Sequence, residues 1–343
     1  MKFKKKFGAL IAATVALSMV FAGVQANAAP KKAPAKPAAV NYYAAFAVNG
    51  ITLQMTPQQV IGKIGKPGLA YTDSQQELHY VYKNDPKKFM NVGFRNGKAV
   101  TIYVYGPGIS IAGIAPKMTT SQAKVAIQKN KAKYRINEVS YVNTGIDARV
   151  VVNGATKLVL GGQINEKVNN LMNVSIFDYT NDIKNRLISP DPMYNTFNRY
   201  NNLNFNVRST IDKGQAKYVF ELINMERKNR GLQPLQWDTK MSENNQLYAA
   251  EMAKFFPYVP AYKANMTARD LVEGLPGTKS YEQISKERNY TPKIKGKWFT
   301  RYALTPGLFY NESLKNNFDV LSRKDITHVG VGLVRDCYVV TYY

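Results

Sequence analysis

Hydrophobic and polar positions alternate in two stretches of the first half of the chain, and each stretch is centred on an Asn-Gly pair. Phe89 to Gly106 alternates around Asn96-Gly97, and Ala148 to Gly161 alternates around Asn153-Gly154. Alternation with a period of two predicts strands, and Asn-Gly between two such runs favours a two-residue hairpin turn. Both stretches are therefore predicted to be β-hairpins.

A similar helix start precedes each hairpin. GITLQMTPQQV begins at Gly50 and GIAPKMTTSQAKV begins at Gly113, and their matching residues lie 63 positions apart. In both, a threonine is followed three positions later by a glutamine, which is the capping box that satisfies backbone N–H groups at a helix start. These pairs are Thr56 with Gln59 and Thr119 with Gln122. We therefore expect two repeats, from about residues 50 and 113, each a helix followed by a β-hairpin or small meander.

Apolar positions in the second half recur with the period of a helix, at Ala216, Val219, Phe220 and Ile223. Ser209, with Asp212 three positions on, predicts the start of this helix, and Gly231 is typical of the position just beyond a helix end. Asp238 is the predicted cap of a second helix that runs through Met252. The second half is therefore predicted to begin with two consecutive helices.

The residues around these helices resemble the CAP superfamily, which includes cysteine-rich secretory, antigen-5 and pathogenesis-related proteins and many bacterial members. The matching positions are Leu222-Ile223-Asn224, Arg227, Gly231-Leu232, Pro234-Leu235, Trp237-Asp238, Ala249, Met252 and Gly330-Val331-Gly332. The resemblance covers roughly residues 206–343 and implies an α-β-α sandwich. The two G-I-x-x-x-M-T units resemble the CAP-associated N-terminal domain found before CAP domains in bacilli and their relatives.

Together these features predict an α+β fold, with an N-terminal domain of two helix-plus-hairpin repeats and a C-terminal, CAP-like α-β-α sandwich. About 300 residues are available for the two domains, enough for two cores. The predicted boundaries are a signal peptide at 1–28, an Ala/Pro/Lys linker at 29–45, the CAP-associated N-terminal domain at 46–190, a linker at 191–205 and the CAP (SCP-like) domain at 206–343.

The first residues predict export. A lysine-rich start precedes an apolar run from Phe7 to Val24, and Ala26-Asn27-Ala28 supplies the small residues of a cleavage site. Because the apolar run nearly reaches the length of a membrane span, a retained anchor is the alternative. The single cysteine excludes an intrachain disulfide, which fits export from a bacterium better than a disulfide-built secreted domain. We therefore expect a secreted, extracellular protein that can associate with the cell wall.

The sequence is strongly basic, with a formal net charge of +24. Residues 29–205 contain 22 basic and 9 acidic side chains, a net charge of +13, and residues 206–343 contain 21 and 14, a net charge of +7. Such a surface attracts polyanions, which outside a bacterium are anionic wall polymers and envelope lipids rather than nucleic acid. The alternative is a basic surface that serves solubility alone.

CAP domains commonly have a cleft with two histidines and two acidic residues, sometimes with a bound metal, and this sequence departs from that pattern. The segment FFPYVPAYK directly after the second helix contains no histidine, although the family pattern places the first one there. Asn316 or Asn317 stands where the second histidine is expected, and Glu282-Gln283-Ile284 takes the place of the family's E-N-I segment. Zinc binding and general-base catalysis both favour imidazole. The resemblance therefore leaves Glu282, Asn317 and His328 as cleft candidates, with no catalytic residue, metal or cofactor expected.

Both histidines and the single cysteine are interpreted as structural residues. His328 lies on the glycine face of the predicted strand HVGVGL, opposite its apolar face, and strand glycines indicate close approach by another element or a ligand. Cys337 is expected in the last core strand, where a buried thiol behaves as a small hydrophobe. His79 lies in the predicted strand LHYVY, as a half-buried sheet histidine with no other residue at metal-ligand spacing.

A basic and aromatic segment near the end of the chain is a candidate for binding polyanions, and the alternative is a solvated loop with Trp298 packed inward. The candidate residues are Lys286, Arg288, Lys293, Lys295, Lys297 and Arg301.

We expect a secreted, non-catalytic protein that binds anionic wall polymers or the envelope surface, with a CAP cleft that takes an unidentified protein or small molecule. One alternative is a degenerate wall hydrolase or peptidase that uses cleft carboxylates such as Glu282. Another is a lipid- or small-ligand-binding module.

Overall fold

The computed structural model describes residues 42–142, 145–179, 200–254, 277–300, 310, 313–314, 318–335 and 337–343. Asn41–Tyr343 form one compact unit. The predicted signal peptide and most of both predicted linkers lie outside the described residues. Within them the chain forms two sheets and five α-helices, with short 3₁₀ turns at Ala44–Phe46, Pro86–Lys88 and Asp319–Leu321.

The first sheet has eight antiparallel strands in the order β1-β2-β3-β4-β8-β7-β6-β5. The strands are β1 Leu69–Thr72, β2 Leu78–Tyr82, β3 Met90–Arg95, β4 Lys98–Val104, β5 Glu138–Val142, β6 Gly145–Val152, β7 Ala155–Asn165 and β8 Asn170–Asp178. Helix α1 (Pro57–Ile64) precedes the first four strands and helix α2 (Thr120–Tyr134) precedes the last four. Each predicted repeat is therefore a helix followed by a four-stranded meander.

Local sequence explains the helix starts and hairpin turns of this sheet. In both helices the cap threonine Oγ1 accepts the glutamine N–H at 3.2 Å, and the glutamine Oε1 accepts the threonine N–H at 2.8 Å. Both predicted capping boxes are thus confirmed. Asn96 and Gly97 have φ of 50° and 70°, and Asn153 and Gly154 have 51° and 73°. Positive φ at both positions is what a type I′ turn requires, so both predicted hairpins are confirmed.

The two repeats meet in the middle of the sheet. Ala99 donates its N–H to the Met55 carbonyl and Leu171 donates its N–H to the Met118 carbonyl, each at 2.8 Å, so Ala99 and Leu171 are equivalent positions. Strands β4 and β8 pair antiparallel, and their facing residues are Ile102 with Ile176, Tyr103 with Ser175 and Val104 with Val174. The last strand of each repeat is therefore paired with the last strand of the other.

The second sheet has four strands in the order β10-β12-β11-β9. The remaining elements are helices α3 (Phe205–Asn229), α4 (Thr239–Lys254) and α5 (Tyr281–Glu287), and strands β9 (Gln236–Trp237), β10 (Gly296–Thr300), β11 (His328–Val334) and β12 (Cys337–Tyr342). Val329, Val331 and Leu333 of β11 share a core with α3, whereas Gly330 and Gly332 lie against α4. Helix, sheet and helix form the predicted α-β-α sandwich.

Helix α3 begins earlier than predicted. Asn204 is its N-cap and accepts the Val207 N–H at 2.9 Å, so the predicted start at Ser209 is wrong. The reason is that Asp212 is buried, and its Oδ2 accepts the Tyr200 hydroxyl at 2.5 Å instead of serving a cap. The predicted end is confirmed, because Gly231 follows the helix with φ of 71°.

Helix α3 also packs against the first sheet. Tyr71 of β1 stacks on Tyr218 of α3 with ring centroids 5.1 Å apart, and both residues are buried in the core that reaches the second sheet. Lys117, at the start of the second repeat, forms an ion pair of 3.1 Å with the buried Glu226 of α3. The α3 helix therefore contributes to the packing of both sheets.

Candidate functional site

The two cleft candidates that lie among the described residues, Glu282 and His328, have separate partners. The ring of His328 stacks on Tyr343 with centroids 4.7 Å apart, and its Nδ1 lies 2.8 Å from the Thr327 hydroxyl. Asn317 lies outside the described residues. The contacts of His328 are those of a packed strand residue, in line with its structural interpretation.

Glu282 lies in the first turn of α5, with 65% of its side chain exposed, and forms an ion pair of 3.4 Å with Lys297. Its partial burial acts to raise the pKa, but the hydrogen bond from its backbone and the charge of Lys297 outweigh this and lower the pKa. A catalytic acid or base needs a pKa near the working pH. Glu282 therefore has the properties of an ionised surface carboxylate.

The glycine face of β11 is covered by helix α4. A Cβ atom at Gly332 would lie against the backbone of Asn245 and Gln246. Asn245 is fully buried, and its Nδ2 donates to the Gly330 carbonyl at 2.8 Å and to the Thr341 hydroxyl at 2.9 Å. The glycines therefore allow close approach by a helix, one of the two alternatives that the sequence left open.

The predicted polyanion-binding residues near the end of the chain share their surface with acids. Arg288 pairs with Glu243 at 2.6 Å, Lys295 with Asp325 at 3.4 Å and Lys297 with Glu282 at 3.4 Å. Lys286 and Lys293 are exposed, and Arg301 lies outside the described residues. Trp298 packs against the core, as the solvated-loop alternative requires. The described part of this surface is therefore close to charge-balanced.

A more uniformly basic surface lies on α2, which the sequence reasoning did not single out. We call it the α2 lysine surface, and it consists of Lys124, Lys129, Lys131, Lys133 and Arg135. The α2 helix contains no acidic residue, and none of these side chains pairs with a carboxylate of the described residues. A surface groove of about 530 Å³ runs beside it, lined in part by Lys129 and the exposed Val125. The signal in the sequence was an acid-free, lysine-rich helix, AKVAIQKNKAK.

His79 has acidic neighbours that we had not predicted. The structure places the ligand atoms of Asp73, Glu77 and His79 within 4.8 Å of one another. The prediction that no other potential metal ligand accompanies His79 is therefore wrong. A tight turn between β1 and β2 brings Asp73 back beside β2, and the alternation of a strand puts Glu77 and His79 on one face. The spacing D-x-x-x-E-x-H was the signal that the sequence carried.

Asp212 is a buried carboxylate with an altered pKa. It is 3% exposed, and burial raises its pKa to about 7, although the Tyr200 hydroxyl and the Arg335 N–H act in the opposite direction. The residue lies on α3, and its Oδ1 accepts the Arg335 N–H at 3.4 Å. These contacts give Asp212 a role in stability that depends on pH.

The free energy of unfolding of the wild type is expected to fall between about pH 4 and pH 7, and Asp212→Asn should remove this fall. Over this range the folded state keeps the proton that the unfolded state has lost, so the free energy of unfolding falls as the pH rises. At pH 8 the variant should be more stable than the wild type by roughly 1–4 kcal/mol, because it buries no charge. Thermal unfolding at pH 4, 6 and 8 checks this, and a difference independent of pH would contradict it.

The three-layer arrangement of α3, the second sheet and α4 defines the class of this part of the protein. Residues 220–343 match the family model of the CAP family, described as the cysteine-rich secretory protein family. The second half of the chain therefore carries a CAP domain. The search of curated proteins gives no match. No helix among the described residues is both long and apolar enough to cross a membrane.

Two solved bacterial structures have a similar fold. One is an extracellular protein containing a SCP domain from Bacillus anthracis str. Ames, with a TM-score of 0.59 and 14% identity over 84% of this chain and 93% of that chain. The other is a cysteine-rich secretory protein from Staphylococcus aureus subsp. aureus Mu50, with a TM-score of 0.53 and 13% identity over 84% and 90%. Because they cover 84% of this chain, the shared fold extends beyond residues 220–343 into the first half.

Proposed function

We propose that this protein is a secreted, non-catalytic CAP-domain protein that binds anionic polymers of the bacterial envelope through the α2 lysine surface. The observation that carries the proposal is the acid-free α2 helix, whose basic side chains pair with no carboxylate of the described residues. The two similar structures support the location, because one is described as extracellular and the other as secretory.

The exposed lysines of α2 and the net charge of the first half suit a flexible, repeating anion. Lys124, Lys129 and Lys133 are exposed, and Lys124 lies 4.8 Å from the ring centre of the partly exposed Tyr141. Such a surface attracts a polyanion over about 8–10 Å at moderate salt, and the attraction falls as salt rises. A second groove in the same half, of about 370 Å³, is lined by Lys66, Lys83, Lys88 and Asp85. It is less basic than α2, because Lys83 pairs with Glu221 at 2.6 Å and Lys88 with Asp85 at 4.0 Å.

The contacts of the CAP domain support a role without catalysis. Among its described residues, His328 is stacked on the ring of Tyr343 and Glu282 pairs with Lys297, so each has a structural partner of its own. A hydrolase needs a nucleophile or water activated by a base held within hydrogen-bond distance. Among the described residues, His328 Nδ1 lies 2.8 Å from the hydroxyl of its chain neighbour Thr327, but no carboxylate of these residues pairs with the ring to orient it as such a base.

We expect the chain without its predicted signal peptide to sediment with purified cell walls at low salt and to be released as salt increases. Replacing Lys124, Lys129 and Lys133 by glutamine should weaken binding by about tenfold, since a few surface charges each contribute modestly. The matched control replaces three exposed lysines of the second half, Lys240, Lys286 and Lys293, and should change binding much less.

Walls stripped of their anionic polymers separate the possible outcomes. Loss of binding on stripped walls, together with a larger effect of the α2 variant than of the control, supports the proposal. An equal effect of both triple variants would show that net charge alone is responsible. Undiminished binding to stripped walls would overturn the proposal and assign recognition to another wall component.

A further inference from the structure

We propose that Asp73, Glu77 and His79 form a binding site for one divalent transition-metal ion of the zinc type. The site lies at the edge of the first sheet and is independent of the CAP domain's own cleft. Asp73 follows β1, Glu77 precedes β2 and His79 belongs to β2, so the β1–β2 turn and the strand after it supply the three side chains. Their ligand atoms lie within 4.8 Å of one another.

The hydrogen bonds of His79 leave its Nε2 atom suited to bind a cation. Nδ1 lies 3.1 Å from Asn91 Oδ1, and Asn91 Nδ2 donates to the Tyr71 hydroxyl at 3.1 Å. In this orientation of the amide Asn91 Oδ1 faces Nδ1 and accepts its N–H, and the neutral ring then has its lone pair on Nε2. Metal-binding histidines are typically held in this way by a second residue.

His79 Nε2 is the observation that points to a ligand. His79 is 6% exposed, and Nε2 has no hydrogen-bond partner among the described residues. It faces Asp73 Oδ2 at 3.3 Å. With the neutral ring in this tautomer, two lone pairs would repel each other at this distance, and a proton or a metal ion between them removes the repulsion. Zinc bonds of about 2.1 Å in a tetrahedral site place neighbouring ligand atoms roughly 3.4 Å apart, close to the observed separation.

The two carboxylates are held by separate contacts. Asp73 Oδ1 accepts the N–H groups of Gln75 and Glu77, both at 2.9 Å, which holds Oδ2 on the side of His79. Glu77 is 4% exposed and pairs with Arg95. Two carboxylates and one guanidinium beside a neutral imidazole leave a net charge of −1, which favours a single cation. The imidazole favours zinc-like ions over calcium or magnesium.

The ring of His79 is also fixed by packing. Its neighbour on β3 is Gly93, where a Cβ atom would lie 3.0 Å from His79 Cε1. On the other side the ring stacks on Tyr71 with centroids 4.8 Å apart. Tyr71 in turn stacks on Tyr218 of α3. A bound ion would therefore stiffen the turn, the sheet edge and the aromatic contact to α3 together.

A proton is the alternative occupant of the space between Nε2 and Asp73. Burial lowers the pKa of His79, but Asp73, Glu77 and Asn91 outweigh it and raise the pKa. Metal binding releases this proton and is favoured at higher pH. The experiment is therefore carried out at pH 8, on untagged protein freed of metal by a chelator.

We expect calorimetry to show one Zn²⁺ bound per chain, with no comparable binding of Ca²⁺. His79→Gln and Asp73→Asn should each weaken Zn²⁺ binding at least tenfold. Asp73→Asn retains an oxygen for the Gln75 and Glu77 N–H groups, so it keeps the turn if His79→Gln disturbs folding. His328→Gln is the matched control, because His79 and His328 are the two histidines of the chain. It should leave binding unchanged.

Proton NMR of the two imidazole C–H signals gives a readout independent of affinity. Zn²⁺ should shift or broaden the signal that His79→Gln removes and leave the signal of His328 in place. If the His79 signal does not respond to Zn²⁺, or if both site variants bind like the wild type, the proposal is overturned. The three residues would then form an ion pair that holds a proton only.

Discussion

Gly332→Ala is expected to lower the free energy of unfolding by about 3 kcal/mol, because overpacking at a rigid contact forces the backbone to move. The added Cβ would lie against backbone atoms of Asn245 and Gln246 rather than against the end of a flexible side chain. Helix α4 would have to shift away from β11, and the hydrogen bond from Asn245 Nδ2 to the Gly330 carbonyl would lengthen. Urea unfolding at pH 8 measures the loss.

Gly62→Ala is the matched control for this glycine. Gly62 is an exposed residue of the α1 helix, and a Cβ atom there would meet nothing within 4 Å. Because alanine loses less backbone entropy than glycine in a helix, the substitution should stabilise the protein by roughly 0.5–1 kcal/mol. Opposite signs for the two substitutions are the expected result. A Gly332→Ala protein as stable as the wild type would show that α4 does not pack as described.

Arg227→Met is expected to destabilise the protein by about 3–5 kcal/mol, because a group left without its hydrogen-bond partner costs about 1–3 kcal/mol and three carbonyls lose their donor. Arg227 is 1% exposed. Its Nε donates to the Gln233 carbonyl at 2.9 Å, and its Nη1 donates to the Val320 and Arg323 carbonyls at 2.8 and 2.9 Å. Methionine fills similar space but leaves three carbonyls without this donor. Urea unfolding measures the difference.

Arg227→Lys separates charge from geometry, since an ammonium cannot reproduce the planar fork of a guanidinium. Arg227→Lys should therefore recover only a small part of the free energy of unfolding that is lost in Arg227→Met. Arg230→Lys on the same helix is the control, because Arg230 is 30% exposed in its side chain and pairs with Glu226 across one turn. Its effect should be smaller than that of Arg227→Lys, because lysine keeps a positive charge beside Glu226, which Lys117 also pairs with. Equal effects at the two positions would contradict a special role for Arg227.

The parts of the fold that local sequence specifies were predictable. A capping box is complete within four residues, and an Asn-Gly turn within two, so Thr56, Thr119 and both hairpins needed no knowledge of distant contacts. The glycine face of β11 was predictable because strand alternation fixes which residues share a side. The start of α3 was not, because Asp212 is taken up by Tyr200, a residue whose position depends on tertiary packing.

The candidate sites were less predictable for a related reason. Strand register brings Asn91 of β3 to His79 and Arg95 of β3 to Glu77, contacts that a search for ligand spacing along the chain does not include. The charge of the segment around Lys295 looked basic in sequence, yet Asp325 and Glu243 reach it from other elements. For the α2 lysine surface the sequence was sufficient, and the lack of acids in one helix was the missed signal.

The pairing of β4 with β8 has the symmetry of a dimer interface within one chain. Because Ala99 and Leu171 are equivalent, Ile102 corresponds to Val174 and Val104 corresponds to Ile176. In the sheet Ile102 faces Ile176 and Val104 faces Val174, so each faces the counterpart of the other. Tyr103 faces its own counterpart, Ser175. This reciprocal pattern is an isologous contact, the kind that two identical subunits make about a two-fold axis. Covalent linkage makes the association of the two halves independent of protein concentration. A sheet edge that would otherwise recruit a second molecule is thereby closed internally.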